Sequence, residues 1–253
     1  MSFRLADSPV EALLCDADGC LFPSEEPAFE ASAQVTNGFL AEIGAARRFS
    51  GEELRLATTG KSFRATAGLL AAEEGKLLNP ETLERWVEIE RRVVTEHLSG
   101  TLLPDRRVLE PLGRLADSHT VAVVSSSAAA RVDACLEATG LTDLFPQGNR
   151  FSAENSLPVP TSKPDPAIYL HALERLEVSP QRAIAVEDSI PGAEAAIRAG
   201  CRTIGNVGFV PPAERADRRA TLECLGVDEV ISCWEELELL LESAEPARER
   251  VGR

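Results

Sequence analysis

Short apolar runs alternate with helical segments along most of this chain. Six of the runs are predicted to form β-strands: Val10–Cys15, Thr120–Val124, Arg150–Ser152, Ala183–Val186, Arg202–Val207 and Glu229–Ser232. The clearest helical segments between them are Ala128–Thr139, Asp165–Leu176 and Gly192–Ala199. Nearly continuous apolar strands separated by helices are typical of a parallel sheet with helices on both faces. The pattern therefore predicts an α/β fold with a three-layer, doubly wound, Rossmann-like core.

One long stretch interrupts this alternation. Residues 24–103 show helical periodicity almost throughout and contain no convincing strand. Asn79-Pro80-Glu81 is a helix start, with a capping side chain, a proline at the first helical position and an acid near the positive helix end. A helical block of this size after the first strand predicts an inserted second domain. We expect a core of residues 1–22 and 104–253 and a helical domain of residues 23–103.

Composition and charge exclude several classes of partner. The chain has 41 acidic and 26 basic residues and a formal net charge of −15. Nucleic acids and anionic membrane surfaces are bound by clustered Lys and Arg, so neither is expected here. No apolar run approaches the roughly 20 residues that cross a bilayer, and the start lacks a signal-peptide pattern. The 6 cysteines show no zinc-like spacing. We expect a cytoplasmic protein with reduced, buried cysteines.

Chemically capable residues follow three of the predicted strands. Asp16-Ala17-Asp18-Gly19 follows the first strand, Ser125-Ser126-Ser127 the second, and Glu187-Asp188-Ser189 the strand at Ala183–Val186. Each group alone is explained by helix caps and turns, which favour Asp and Ser. In an open parallel sheet, however, ligands bind beyond the carboxyl ends of the strands. Four acidic groups converging there would repel one another without a cation, which indicates a metal-assisted site.

These residues resemble the four ordered motifs of the haloacid dehalogenase superfamily. The motifs are Asp16-Ala17-Asp18-Gly19, Ser125, Lys163-Pro164-Asp165-Pro166, and Glu187-Asp188-Ser189 with Gly192. Four motifs in order, each in its expected context, are much more specific than a lone DxDG. The resemblance spans about residues 10 to 235. It is closest to the β-phosphoglucomutase-like phosphatases, which carry a helical cap after the first motif.

The resemblance implies a Mg²⁺-dependent phosphatase that forms an aspartyl-phosphate. Asp16 is similar to the family nucleophile. Asp18 resembles the general acid that protonates the leaving oxygen and then activates water, and its backbone carbonyl is a metal ligand in the family. Mg²⁺ would be held by Asp16 and Asp188, with Glu187 in or near its coordination shell.

The resemblance also implies a set of phosphate and substrate contacts. Ser125 would donate a hydrogen bond to a phosphoryl oxygen, with Ser126 beside it in the same serine cluster. Lys163 would bridge the nucleophile and the phosphate. In the helical insert, Lys61 and Arg64 lie where the family's cap loop reaches the substrate, and we expect them to contact its non-reacting part or the phosphate.

The insert also contains Gly60-Lys61-Ser62, which invites a nucleotide-binding interpretation. The phosphate-binding loop GxxxxGK[ST] requires a glycine five positions before Gly60, and that position is Arg55. No predicted strand precedes the segment either. A kinase of that class is therefore not favoured.

Asp18 favours hydrolysis of a phosphate ester over dehalogenation, because related dehalogenases and phosphonate hydrolases lack a carboxylate at this position. The expected substrate is a small phosphorylated metabolite, with a sugar phosphate preferred. A β-phosphoglucomutase-like mutase and a non-catalytic phosphometabolite sensor stay as alternatives. Cys20 stands where the family usually has Thr or Val, which puts the geometry of the hinge after the first strand in question. The sequence leaves the substrate and the oligomeric state open.

Overall fold

The computed structural model describes residues 9–58 and 61–244. Packing divides them into two compact units. One contains the described residues up to Phe22 together with those from Leu103 onward, and the other is Pro23–Leu102. Strands are found only in the first of these units, among the described residues.

Six strands build the sheet of the first unit. They are β1 Ala12–Cys15, β2 Thr120–Ser125, β3 Arg150–Ser152, β4 Ala183–Glu187, β5 Arg202–Asn206 and β6 Glu229–Ile231. All pair in parallel, in the order β3-β2-β1-β4-β5-β6. The chain runs outward from β1 to β3 and then in the opposite direction from β4 to β6. The predicted doubly wound sheet is confirmed, and its order reverses between β1 and β4, where such folds open a crevice.

Helices connect the strands and form the second unit. They are α1 Glu25–Glu42, α2 Gly51–Thr58, α3 Phe63–Glu73, α4 Pro80–Thr101, α5 Arg106–Ala116, α6 Ala129–Ala138, α7 Ala167–Leu176, α8 Ile190–Arg198, α9 Arg215–Leu225 and α10 Trp234–Ala244. The predicted helix start at Asn79 is confirmed, since its side chain accepts a hydrogen bond from the Glu81 N–H at 2.9 Å. None of the described helices has the length and apolar character that a bilayer span needs.

Both faces of the sheet are buried. On one face, Leu14 and Val124 pack with Tyr169 of α7 and Ala196 of α8 in a single cluster. Because side chains alternate across a strand, Leu13 points to the opposite face, and it too is fully buried. Burial of each large apolar side chain contributes about 1.5–3 kcal/mol. This core fixes the carboxyl ends of the central strands, from which the candidate site is built.

The helical unit has its own apolar core. Phe39 and Leu40 of α1 pack with Leu54 of α2 and Leu70 of α3. Trp86 of α4 meets Phe39 edge to face, with ring centroids 6.1 Å apart. The helical unit therefore has a buried apolar cluster formed by its own helices.

The six cysteines, all within the described residues, form no disulfide bond. All six are free, and Cys15, Cys20, Cys135 and Cys201 are buried, as predicted. Cys224 is exposed and Cys233 is partly exposed, so burial was predicted wrongly for these two. Both lie near the ends of outer elements of the unit, where the apolar runs that contain them reach the surface.

Candidate active site

The site lies at the switch point of the sheet. β1 pairs with β2 on one side and with β4 on the other, so the carboxyl ends of three strands are adjacent. The N–H of Asp16 continues the ladder by donating to the Val186 carbonyl at 2.9 Å. β2 and β4 each run one residue further than the sequence predicts, so Ser125 and Glu187 are themselves strand residues. Rigid backbone therefore positions Asp16, Ser125 and Glu187.

Lys163 lies at the centre of the buried charges. Its ammonium donates to a carboxylate oxygen of Asp16, to Glu187 Oε1 at 2.6 Å and to the Val124 carbonyl at 2.7 Å. The side chain is only 5% exposed. Burial opposes its charge, but the carboxylates of Asp16 and Glu187 outweigh this and raise the pKa of Lys163 above its ordinary value. All three N–H groups have protein acceptors, so a phosphoryl oxygen would take the place of one of them, and the uncharged Val124 carbonyl is the weakest competitor.

Asp16 needs positive charge to remain ionised. Burial raises the pKa of Asp16, the Lys163 ammonium lowers it and the charge of Glu187 raises it again, and the net result is a pKa of about 7. A carboxylate nucleophile must be deprotonated to attack. One lysine shared between two buried carboxylates offsets only part of the effect of burial on the pKa of Asp16, and a divalent cation beside the carboxylate would favour its ionised form further.

Three carboxylates are close enough to share such a cation. Oxygens of Asp16, Glu187 and Asp188 all lie within 4.8 Å of one another, and all three residues are buried. Gly19 makes room for them: its φ is +78°, and a Cβ there would lie 2.5 Å from Asp188 Oδ2. A set of carboxylate oxygens is what Mg²⁺ prefers. The residues present therefore fit a divalent metal, while the Asp18 carboxylate lies outside this group.

Glu187 is more firmly held than the other two carboxylates. Its Oε1 accepts hydrogen bonds from both Lys163 and the Tyr169 hydroxyl. Burial, followed by the charge of Glu187, raises the pKa of Tyr169 well above its ordinary value, so the hydroxyl keeps its proton and donates. A Cβ at Gly192 would lie 1.8 Å from Glu187 Oε2, so that glycine leaves space for the carboxylate. Glu187 thus anchors Lys163 through Oε1, which accepts two hydrogen bonds.

The serines after β2 have separate partners. Ser125 is buried, and its Oγ accepts from the Ser127 N–H at 3.0 Å. Ser126 Oγ accepts from the Lys163 backbone N–H at 3.1 Å. Ser127 Oγ donates to Asp18 Oδ2 at 2.7 Å. Among the described residues the Ser125 hydroxyl has no acceptor for its own hydrogen, which makes it suited to donate to a bound oxyanion.

The structure gathers seven of the predicted site residues in the α/β unit. They are Asp16, Asp18, Ser125, Ser126, Lys163, Glu187 and Asp188. The other two, Lys61 and Arg64, belong to the helical unit. Both are exposed there, and the guanidinium of Arg64 forms a two-point pair with Glu84, including Nη2 to Oε2 at 2.7 Å.

Sequence reasoning missed three supporting residues, Tyr169, Arg218 and Asn155, and gave Ser127 no role of its own. Tyr169 has the helical spacing of a core aromatic residue, and Arg218 lies in an arginine-rich stretch that is typical of a solvated surface. In fact Arg218 Nη1 donates to the Asp188 carbonyl at 2.6 Å, and its side chain is only 20% exposed. Ser127 and Asn155 are ordinary turn residues in sequence. Asn155 Oδ1 accepts from the first N–H of α6, at Ala129, which is therefore not among the N–H groups available to a phosphate.

Comparisons with known proteins identify the family of this chain. A family model described as haloacid dehalogenase-like hydrolase matches residues 10–200. Protein CbbY of Cereibacter sphaeroides is 30% identical over 242 residues, covering 90% of this chain and 94% of that protein. CbbY from Rhodobacter sphaeroides, solved in complex with xylulose-(1,5)bisphosphate, has a TM-score of 0.66 and 26% identity, covering 90% of this chain and 96% of its own.

A second solved structure extends the match. The HAD family hydrolase from Deinococcus radiodurans, with bound phosphate and sodium, has a TM-score of 0.66 and 27% identity, covering 94% of this chain and 97% of its own. The family predicted from the four motifs is thus confirmed. This chain belongs to the haloacid dehalogenase-like hydrolases.

Proposed function

We propose that this chain is a Mg²⁺-dependent phosphatase that hydrolyses the phosphate monoester of a small metabolite through an aspartyl-phosphate. The proposal rests on one observation above all. A buried Asp16 carboxylate at a strand end is held by Lys163 and lies beside Glu187 and Asp188, close enough for the carboxylates to share a cation. A buried group of carboxylates around one lysine has no use in packing, because each buried charge costs several kcal/mol.

Each step can be assigned to a residue of the site. An oxygen of Asp16 attacks phosphorus, the bond from phosphorus to the leaving oxygen breaks, and Asp18 gives that oxygen a proton. Water then attacks the same phosphorus, Asp18 takes the proton from the water, and the Asp16 carboxylate is released with inorganic phosphate. During both steps the Ser125 hydroxyl donates to a phosphoryl oxygen, and Lys163 fixes the orientation of Asp16.

The proposed metal ligands are Asp16 and Asp188, with the Asp18 carbonyl that the resemblance implies. Glu187, already bonded to Lys163 and Tyr169, is proposed to anchor the site at its inner side. A bound divalent cation shields the approach of a carboxylate to a dianionic phosphate.

For the substrate class, we propose a sugar phosphate. The support is the structure of CbbY from Rhodobacter sphaeroides with xylulose-(1,5)bisphosphate. We propose that Lys61 and Arg64 contact the part of the substrate that does not react, since both are exposed cations in the inserted unit.

The test is hydrolysis of p-nitrophenyl phosphate and of a panel of phosphorylated sugars, with Mg²⁺ and with EDTA. We expect turnover that EDTA abolishes and Mg²⁺ restores. Asp16→Asn is expected to lower kcat by at least about a thousandfold while leaving the circular dichroism spectrum unchanged. Turnover that survives in Asp16→Asn would exclude the aspartyl-phosphate mechanism, and binding of phosphorylated sugars without any turnover would favour the sensor alternative.

A further inference from the structure

A chain of hydrogen bonds leads from Asp18 into the loop that follows β3. Ser127 Oγ donates to Asp18 Oδ2 at 2.7 Å. Ser152 Oγ, at the end of β3, donates to the Ser127 carbonyl at 2.8 Å. The N–H of Asn155 in turn donates to Ser152 Oγ at 3.2 Å. Ser127 is thus bonded through its side chain to Asp18 and through its backbone to the neighbouring strand.

Ser127 has a fixed position that does not depend on Asp18. Its N–H donates to Ser125 Oγ at 3.0 Å, so both of its backbone polar groups are bonded to residues at strand ends. The loop behind it is closed by two further bonds, from the Ala129 N–H to Asn155 Oδ1 at 2.8 Å and from the Ser152 N–H to Ser156 Oγ at 2.9 Å. Residues bonded at several points lose little further entropy when they bind another group.

The Asp18 side chain, by contrast, lies in a turn and is half-buried. The backbone of that turn is fixed by hydrogen bonds from the Gly19 N–H to the Phe22 carbonyl at 3.0 Å and from the Leu21 N–H to the Ala17 carbonyl at 2.9 Å. These backbone bonds do not set the two side-chain torsions of Asp18, on which the direction of its carboxyl group depends. Proton transfer requires the donor within about 2.6–3.2 Å of the acceptor, so a change of rotamer would take the acid out of reach.

We propose that Ser127 is a positioning residue that orients the Asp18 carboxyl group for proton transfer to the leaving oxygen. This inference rests on the proposed function and goes beyond it, because no motif assigns a role to Ser127. The hydroxyl selects one rotamer of Asp18, and the bonds from Ser125 and Ser152 keep the hydroxyl in place.

The test compares two leaving groups in the full-length protein with Mg²⁺. p-Nitrophenolate leaves with little need of a proton, whereas the alkoxide of β-glycerophosphate needs one fully. We expect Ser127→Ala to lower kcat/KM for β-glycerophosphate by about tenfold or more and for p-nitrophenyl phosphate by less than about threefold. Equal losses for both esters, or no loss for either, would overturn the inference, because general damage to the site does not depend on the leaving group.

Two further variants of Ser127 separate orientation from size. Ser127→Thr keeps the hydroxyl and is expected to retain kcat/KM for β-glycerophosphate within about threefold of the wild type. Ser127→Cys keeps the size but is a weak donor, and it is expected to show the same leaving-group-dependent loss as Ser127→Ala. If Ser127→Ala folds poorly, Ser127→Cys decides alone. The control is Ser118→Ala, which changes a serine of the same unit just after the C-terminal end of α5. This variant should match the wild type.

A double-mutant cycle shows whether Ser127 acts through Asp18. If it does, Ser127→Ala should have almost no effect on β-glycerophosphate hydrolysis in an Asp18→Asn background. Losses that multiply would overturn the inference. The same data keep the two hypotheses apart. An Asp18→Asn variant with unchanged kcat/KM would remove the acid of the proposed mechanism itself, whereas a leaving-group-dependent loss in Asp18→Asn but not in Ser127→Ala would remove only the role of Ser127.

Discussion

The two compact units of the chain differ in their ion pairs, because among the described residues only the α/β unit has pairs in which both side chains are buried. In the α/β unit, Lys163 is 5% exposed and contacts Asp16 and Glu187, whose side chains are 10% and 0% exposed. In the helical unit the ion pairs lie on the surface, as in Arg47 with Glu73, at 47% and 48% exposure. Solvent screens exposed pairs and leaves them nearly independent of one another.

Buried charges depend on one another, because each charge offsets the free-energy cost of burying its neighbour of opposite sign. Removal of one partner leaves an uncompensated charge in the interior, which costs far more than the loss of a surface pair. Evolution retains such an arrangement where chemistry requires charged groups away from water, so burial of charge marks the α/β unit as the one that holds the reactive groups. The exposed charges of the helical unit are suited to contacts that are weaker and easier to change.

The largest effect is expected for Lys163→Met, which leaves Asp16 and Glu187 without their counter-ion. We expect the free energy of unfolding to fall by about 3–5 kcal/mol. Activity with p-nitrophenyl phosphate should fall by at least about a hundredfold, because Asp16 loses both its orientation and the charge that favours its ionised form. Urea denaturation and steady-state kinetics measure the two effects.

Arg47→Met in the helical unit is the matched control for Lys163→Met. Its free energy of unfolding should fall by no more than about 1 kcal/mol, since water replaces the lost partner of Glu73 and the guanidinium also gives up its contact with the Phe49 ring, 4.4 Å from the ring centroid. Equal stability of the two variants would contradict the claim that buried charges are coupled and exposed ones are not.

Tyr169→Phe tests the hydrogen bond that the sequence did not reveal. The variant keeps the ring in the core and removes only the donor to Glu187 Oε1. A lost hydrogen bond to a charged group costs about 1.5–3 kcal/mol. Thermal or urea unfolding would show it, and a variant as stable as the wild type would mean that Glu187 does not depend on this hydroxyl.

Gly192→Ala and Gly68→Ala should change stability in opposite directions. A Cβ at Gly192 would lie 1.8 Å from Glu187 Oε2, a carboxylate that Lys163 holds in place. Such overpacking costs about 1–3 kcal/mol, and displacement of Glu187 should lower activity as well. At Gly68, in α3 of the helical unit, a Cβ meets nothing within 4 Å. There alanine should stabilise the protein by about 0.5–1 kcal/mol. A stabilising Gly192→Ala would show that the carboxylate is free to move.

Most of the fold and the centre of the site could be predicted from the sequence. The apolar strand pattern predicts a parallel sheet, and parallel strands bring their carboxyl ends to one edge, which is why Asp16, Ser125 and Glu187 meet although they are far apart in the chain. The predicted ends of β2 and β4 are one residue short. The two extra residues, Ser125 and Glu187, are polar. Because the strand ends were predicted from the last apolar residue of each run, these two residues were left out.

The rest depends on side-chain directions that no local pattern encodes. Tyr169 faces Glu187 because of how α7 packs on the sheet, and in sequence it is indistinguishable from any core aromatic residue. Arg218 reaches the Asp188 carbonyl from α9, whereas Arg215 of the same helix donates to the Gly208 carbonyl and Arg219 to the Val230 carbonyl of β6. The contact between Ser127 and Asp18 is set by one rotamer. Such contacts follow from tertiary packing and not from spacing along the chain.

The smallest expected effects concern Lys61 and Arg64, which test whether exposed cations of the helical unit contribute to substrate binding. Arg64 is paired through two hydrogen bonds with Glu84, so a substrate anion must compete with that carboxylate. Lys61 has no ion pair among the described residues and is available to an anion at once. We expect Lys61→Ala to raise KM for the best phosphorylated sugar about two- to fivefold, and Arg64→Ala by less than about twofold. Neither variant should alter kcat for p-nitrophenyl phosphate.

Glu84→Gln provides the internal control for this pair, because it removes the charge of the carboxylate that pairs with the guanidinium while leaving Arg64 in place. In that background Arg64→Ala should raise KM more than it does with Glu84 present, because the substrate anion no longer competes with this carboxylate for the guanidinium. Measurements at low and high salt should show the increases shrinking as ionic strength rises. If Arg64→Ala already raises KM as much as Lys61→Ala with Glu84 present, then Glu84 releases Arg64 when substrate binds, and exposure rather than pairing decides which cation of the helical unit is available.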